Sequence, residues 1–198
     1  MLNDCYKAAI VGTHACGKTT MLNSLNSVVK TYGEAPINHF MGKNCYLGEA
    51  LLYVDYIKIN KRLSSEVVPY VSDRLGILSV LIYTVGFNRM GWMSDGDASK
   101  VFNFVNTDGV DWVLPKKILY INESIPVLKS RIIKRGRKGL NEEDSLYLGT
   151  VNELYKDYFS GFDVFPELSS DLKKSFKSVP VVRVKSTDSL ESIINIIK

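Results

Sequence analysis

The fold is decided by the stretch Gly12-Thr13-His14-Ala15-Cys16-Gly17-Lys18-Thr19, which has the pattern G-x-x-x-x-G-K-T. An apolar run at residues 8–11 precedes it, and residues 20–29 after it carry apolar side chains at helical spacing. A strand, a glycine-rich turn and a helix in this order distinguish a phosphate-binding loop from a chance turn. The stretch therefore predicts that the chain binds a nucleoside triphosphate.

The residue types explain how such a loop would bind phosphate. Glycines at 12 and 17 let the backbone curl so that its N–H groups point at phosphate oxygens, beside the positive end of the helix. Lys18 would contact the β and γ phosphates, and the Thr19 hydroxyl would bind Mg²⁺. His14 and Cys16 would contribute through their backbone. The predicted nucleotide-binding residues are Gly12, Thr13, His14, Ala15, Cys16, Gly17, Lys18, Thr19 and Thr20.

Length and composition predict one globular domain spanning residues 1–198. The sequence is 45% hydrophobic and 23% charged, with no linker, repeat or low-complexity segment. It has no apolar run near the roughly 20 residues that cross a bilayer, and no secretion signal. Three cysteines without metal-ligand spacing are typical of a reduced interior, so a cytoplasmic protein without a membrane partner is expected.

The net charge of +4 indicates an anionic partner. Because the basic side chains concentrate at residues 129–138, a local anion site is favoured over a general polyanion-binding face, while nucleic acid stays open. The oligomeric state also stays open, with a homodimer as one alternative.

Short apolar strands alternate with helical patterns along the chain. Strands are predicted at residues 7–11, 67–71, 117–121 and 181–184, with a weaker one at 30–32. Helices are predicted at residues 19–29, 47–62, 75–84, 101–113, 126–135, 143–159 and 190–197. The alternation predicts an α/β fold with a parallel sheet covered on both faces. Ligands in such sheets bind beyond the carboxyl ends of the strands.

Three candidate catalytic residues follow predicted strands. Glu34 follows the strand at 30–32 and is the predicted general base for an acceptor hydroxyl, although a solvated loop glutamate is the alternative. Asp73 and Arg74 follow the next strand. Asp73 is predicted to hold Mg²⁺ and Arg74 to bind a phosphate through paired hydrogen bonds. The alternative for this pair is a helix N-terminal Asp followed by a surface Arg.

A basic segment, R-I-I-K-R-G-R, supplies three more candidates. Arg131 and Arg135 lie four residues apart on one helical face, and Arg137 follows a glycine. Together they predict a lid at about residues 131–144 that closes over a triphosphate, neutralises developing charge and excludes water. A solvated basic face is the alternative.

These motifs, taken in order, resemble the deoxyribonucleoside kinases and the related thymidylate kinases. The resemblance covers about residues 7–159 and is most specific in R-I-x-x-R-G-R followed by Glu142 and Glu143. It implies a three-layer α/β/α sandwich with a five-stranded parallel sheet, ATP with Mg²⁺, and transfer of the γ-phosphoryl group to a deoxynucleoside or its monophosphate. It also implies the roles given above for the nine-residue loop and for the catalytic candidates Lys18, Glu34, Asp73, Arg74, Arg131, Arg135 and Arg137.

Two departures weaken the prediction of the acceptor. Asp73-Arg74-Leu75 stands where the nucleoside kinases usually have Glu-Arg-Ser. The segment between Glu34 and Asp73 is also shorter than the corresponding segment of the nucleoside kinases. Candidates for an acceptor pocket, with the helix core as the alternative, are the aromatic residues Phe40, Tyr46, Tyr53 and Tyr56 and the polar residues Asp55 and Lys58. The exposed-looking aromatic residues of 86–93 would form an acceptor wall or a partner surface.

Two other functions stay open at this level. A close variant phosphorylates a hydroxyl-bearing modified base within DNA, which the basic balance and the compact acceptor segment would suit. A nucleotide-dependent ATPase or switch protein is the alternative of another class, although the chain lacks the N-K-x-D pattern of GTPases.

Overall fold

The computed structural model describes residues 4–33, 45–136 and 144–198. Its centre is a five-stranded sheet in the order β2-β3-β1-β4-β5, and every paired neighbour is parallel. The strands are β1 (Tyr6–Val11), β2 (Lys30–Tyr32), β3 (Tyr70–Asp73), β4 (Lys117–Ile121) and β5 (Val181–Val184). The predicted five-stranded parallel sheet is confirmed.

Helices cover both faces of the sheet. They are α1 (Lys18–Leu25), α2 (Tyr46–Ser64), α3 (Gly76–Arg89), α4 (Asp95–Thr107), α5 (Ile125–Arg135), α6 (Ser145–Phe159), α7 (Ser170–Lys177) and α8 (Leu190–Ile197). Alternate β1 residues enter different cores: Ala9 and Val11 pack with α2, α3, α4 and α6, whereas Ala8 and Ile10 pack with α1, α5 and α8. Since strand side chains alternate between faces, this division produces the predicted three layers.

Five elements differ clearly from the sequence-based expectation. α1 ends at Leu25 rather than at residue 29, and α3 ends at Arg89 rather than at residue 84. β3 begins at Tyr70, because Val67 and Val68 are exposed and their N–H groups donate to the Glu66 carboxylate. α4 begins and ends six residues earlier than predicted, since the Ser94 side chain caps its first turn. α7 was not predicted, because its segment is mostly polar; its apolar residues are Phe176, which is buried, and Leu172, which packs against the core.

The sheet positions the carboxyl ends of four strands at one edge. Ile10 is in register with Asp73, Val11 with Tyr120, and Ile121 with Val184. The chain crosses from one side of β1 to the other between β3 and β4, and crevices for ligands form at such switch points. Within the described ranges, no helix has both the length and the apolar character needed to span a bilayer.

Candidate active site

The phosphate-binding loop connects β1 to α1 at this switch point. Gly12 and Gly17 have φ values of 147° and 109°, in a region that favours glycine. A Cβ at Gly12 would lie 2.5 Å from the Ile121 carbonyl oxygen, and one at Gly17 would lie 2.7 Å from the Ser186 Cβ. Both glycines are therefore needed for backbone shape and for close packing against the ends of β4 and β5.

Lys18 lies buried inside the loop. Its ammonium group donates to the carbonyl oxygens of Gly12 at 2.9 Å and Thr13 at 2.8 Å, and lies 3.7 Å from the Cys16 Sγ. Thr13 and Cys16 are themselves buried, whereas Thr20 on the following helix is exposed. The arrangement holds a cation directly at the mouth of the loop and at the N-terminus of α1, where a polyphosphate is best stabilised.

Thr19 and Asp73 lie together, although 54 residues separate them. The Thr19 hydroxyl is 3.3 Å from Asp73 Oδ2. Asp73 Oδ1 is buried and has no hydrogen-bond partner among the described residues. A hydroxyl and a carboxylate with an unused oxygen fit Mg²⁺, which takes one or two protein ligands and completes its shell with phosphate and water. The described residues contain no cluster of three or more histidine, cysteine or carboxylate side chains that could hold a metal ion.

Arg74 adopts a strained backbone conformation with φ 74°. Its N–H donates to the Ile10 carbonyl at 2.9 Å, and its carbonyl accepts from the Ser72 hydroxyl at 2.7 Å. Its buried guanidinium donates to the Tyr83 hydroxyl at 2.7 Å and lies 5.5 Å from the centroid of that ring. The sequence-based alternative of a surface arginine is wrong, because Arg74 is 4% exposed.

α5 presents basic side chains to a cavity beside the loop. The cavity has a volume of about 490 Å³ and is lined by Ala15, Gly17, Thr20, Arg131, Lys134, Arg135, Ser186 and Thr187. Arg131 also donates to the carbonyl oxygens of Ala15 at 3.3 Å and Cys16 at 3.0 Å. Two of the predicted lid arginines thus face the phosphate loop.

Several predicted residues lie outside the described residues or away from the cavity. Glu34, Phe40 and Arg137 lie outside the described residues, together with half of the predicted lid, residues 137–143. Asp55 and Lys58 form a surface ion pair at 3.1 Å. Tyr53 is buried in the core, as the alternative interpretation had it. Tyr56 is also buried, but it lines a small cavity together with Asp73 and Arg74.

His14 joins the phosphate loop to an aromatic cluster. Its Nε2 is 2.6 Å from the Tyr147 hydroxyl, and its ring lies 5.5 Å from that of Tyr83. Phe87 and Trp92 stack on Tyr147 at centroid distances of 5.9 and 5.8 Å. The expectation of an exposed aromatic loop at residues 86–93 is wrong, because α3 continues to Arg89 and Phe87 is buried.

Glu49 is a fully buried carboxylate on α2. Neither of its carboxylate oxygens has a hydrogen-bond partner among the described residues. Burial raises the pKa of Glu49 well above its ordinary value, and the positive charge of Arg74 opposes that shift. A buried carboxyl group beside a candidate catalytic arginine, with no hydrogen-bond partner in the described part of the chain, is typical of a functional site.

Sequence reasoning missed Glu49, Glu123 and Ser186. The rule that selected Asp73, residues directly after a strand, would have selected Glu123 after β4 and Ser186 after β5. Glu49 had a different signal, since it lies three residues before Leu52 and seven before Tyr56 on the buried face of an amphipathic helix. A charged residue on such a face needs a specific reason.

Comparison with solved structures places this geometry among known folds. Three structures of deoxyadenosine kinase from M. mycoides superpose on the chain at 19% sequence identity. The one with bound dATP has a TM-score of 0.72 and covers 96% of each chain. The structure with the products dCMP and a flexible dCDP has a TM-score of 0.70. The structure with dCTP has a TM-score of 0.66. Both cover 96% of this chain and 95% of the other.

In sequence alone, no family model and no curated protein matches the chain. The predicted fold is confirmed by three-dimensional structure: the chain has the fold of these deoxyadenosine kinases.

Proposed function

We propose that the protein is an ATP-dependent kinase that transfers the γ-phosphoryl group to a deoxynucleoside or a deoxynucleoside monophosphate. The observation that carries the proposal is the convergence of Lys18, Thr19 and Asp73 on one edge of the sheet. The Lys18 ammonium group, the Thr19 hydroxyl and the Asp73 carboxylate, whose Oδ1 has no hydrogen-bond partner among the described residues, lie together beside the glycine-rich loop. These groups suit a polyphosphate with its divalent cation.

In this proposal each residue acts on charge or position. Lys18 and the loop amides bind the β and γ phosphates, and Arg135 neutralises charge from the α5 side. Thr19 and Asp73 would hold Mg²⁺, which when bound neutralises phosphate charge. Arg74 orients the acceptor.

The transfer itself balances simply. The acceptor oxygen forms a bond to the γ phosphorus while the bond between that phosphorus and the β–γ bridging oxygen breaks, so ADP leaves with the electron pair. When the acceptor is a deoxynucleoside hydroxyl, its proton passes to a general base, for which Glu34 remains our candidate. A monophosphate acceptor attacks through an ionised oxygen and needs no such base. Most of the rate would come from positioning and charge stabilisation.

The nucleotides bound to the M. mycoides enzyme support this assignment of substrates. That deoxyadenosine kinase has been solved with dATP, with dCTP, and with dCMP and dCDP. The same fold, with a cation-lined cavity of about 490 Å³ beside the phosphate loop, suits a nucleotide donor in this chain. The buried Arg74, at the carboxyl end of β3, suits an acceptor that carries a phosphate or hydroxyl group.

The test is to offer γ-labelled ATP with separate pools of deoxynucleosides, deoxynucleoside monophosphates and DNA containing hydroxymethylated pyrimidines. We expect label in one of the first two pools, and a turnover about two to three orders of magnitude lower in Lys18→Ala and Arg135→Ala. Lys129→Ala removes a cation from the same helix as Arg135 and serves as the matched control.

Label appearing only in DNA would replace the small-molecule acceptor with a polymer. Rapid release of inorganic phosphate with no phosphorylated product would overturn the kinase assignment in favour of an ATPase.

A further inference from the structure

Arg131 uses both terminal nitrogens of its guanidinium group for hydrogen bonds within the protein. Its Nη1 donates to the Ala15 and Cys16 carbonyl oxygens. Its Nη2 donates to the Ser186 hydroxyl at 2.9 Å and to Glu123 Oε1 at 3.4 Å. The four N–H bonds of these two nitrogens thus match four protein acceptors.

These contacts connect three strand ends. Ala15 and Cys16 belong to the loop after β1, Glu123 follows β4, and Ser186 follows β5. The Ser186 hydroxyl donates to Glu123 Oε1, which closes a triangle of three side chains. Ser186 also packs so closely on Gly17 that a Cβ there would lie 2.7 Å from its own Cβ.

The backbone atoms that Arg131 contacts set the direction of the loop amides. In a trans peptide the carbonyl and the following N–H point in opposite directions, and no described peptide bond is cis. Holding the Ala15 and Cys16 carbonyls on the α5 side therefore turns the N–H groups of Cys16 and Gly17 away from α5. Ala15 needs such support, because its φ of 58° is strained for a residue with a Cβ.

We propose that Arg131 is a positioning residue which, with Glu123 and Ser186, holds the phosphate loop in its phosphate-binding shape. This inference rests on the proposed function and refines the role of one predicted lid residue. Arg135 and Lys134, at the C-terminal end of α5, line the same cavity and stay the candidates for phosphate contact from this helix.

Glu123→Gln tests the proposal, because the two possible roles of Arg131 predict opposite changes in nucleotide affinity. If Arg131 simply attracted phosphate, Glu123→Gln would remove a nearby negative charge and strengthen nucleotide binding. If Glu123 instead anchors Arg131 on the loop, the same change loosens the loop and weakens binding. The Gln side chain retains the size of Glu, so packing is conserved.

The experiment measures the dissociation constant of a non-hydrolysable ATP analogue by titration calorimetry. It compares the wild type with Glu123→Gln, Ser186→Ala, Arg131→Ala and the double variant Arg131→Ala/Glu123→Gln. We expect each single variant to weaken binding by about threefold to tenfold, the value of one or two hydrogen bonds. In the double variant we expect little further loss, because the residues act as one unit.

Two controls separate the mechanisms. Arg135→Ala combined with Glu123→Gln should show additive losses, since Arg135 has no described contact with the triangle. Lys129→Ala should bind as the wild type does. If Arg131→Ala does not fold, Glu123→Gln and Ser186→Ala decide the question.

Unchanged or tighter binding by Glu123→Gln would overturn the proposal, as would additive losses for Arg131 and Glu123. A wild-type protein that binds no ATP analogue would instead overturn the proposed function, so the two failures are distinguishable.

Discussion

Replacement of Glu49 by glutamine should change how protein stability depends on pH. Burial raises the pKa of Glu49 above its ordinary value of 4.5. Between pH 4.5 and that raised pKa, the folded state holds a proton that the unfolded state has lost. The stabilising contribution of Glu49 is therefore complete below pH 4.5 and is lost as pH rises towards the pKa of the folded state. Glutamine does not titrate and shows no such loss.

The size of the effect follows from proton linkage. One proton of difference changes the free energy of unfolding by about 1.4 kcal/mol per pH unit. For a chain of this length, that corresponds to roughly 3 to 5 °C in Tm per pH unit. Burial of the glutamine amide changes the free energy of unfolding by the same amount at every pH. Only the pH dependence of the difference in unfolding free energy between Glu49→Gln and the wild type therefore reports on Glu49.

Urea unfolding at half-unit intervals from pH 5 to 8 measures this slope. We expect the stability of Glu49→Gln relative to the wild type to rise with pH, and to level off where Glu49 ionises in the folded protein. Glu66→Gln is the matched control. Lys30 and Tyr32 hold the pKa of Glu66 at about 2, so Glu66 is ionised in the folded state over this range and largely ionised in the unfolded state. The stability difference of Glu66→Gln should therefore be nearly flat. A flat difference for Glu49→Gln as well would refute the reasoning.

Two further predictions concern packing and the aromatic cluster. Gly76→Ala would place a methyl group 2.2 Å from a ring carbon of Tyr56, so we expect a loss of about 1 to 3 kcal/mol in urea unfolding. Gly149→Ala, in a helix with open space, should instead gain up to about 1 kcal/mol, and equal effects of the two changes would contradict the steric argument. Tyr147→Phe removes the hydroxyl that lies 2.6 Å from His14 Nε2 and should cost about 1 kcal/mol by the same measurement; unchanged stability would show that this hydrogen bond contributes nothing.

The phosphate loop and the sheet could be predicted because their signals are local. Gly12, Gly17, Lys18 and Thr19 are close in sequence, and the short apolar strands alternate with helices in a way that few folds accommodate. Strand ends also selected Asp73 and Arg74, since parallel strands bring their carboxyl ends to one edge of the sheet. The boundaries of β3 and α4 were less predictable, because Glu66 and Ser94 set them through side-chain contacts with the backbone.

The sequence by itself determined that a glycine-rich loop of the phosphate-binding pattern lies between a buried strand and a helix, because backbone geometry limits that turn to glycine at two positions. Only the tertiary structure decided which distant side chains act on the loop. Arg131 reaches Ala15 across 116 residues, and Glu123 and Ser186 meet across 63. Such contacts depend on the order of strands in the sheet and on side-chain direction, neither of which local spacing contains.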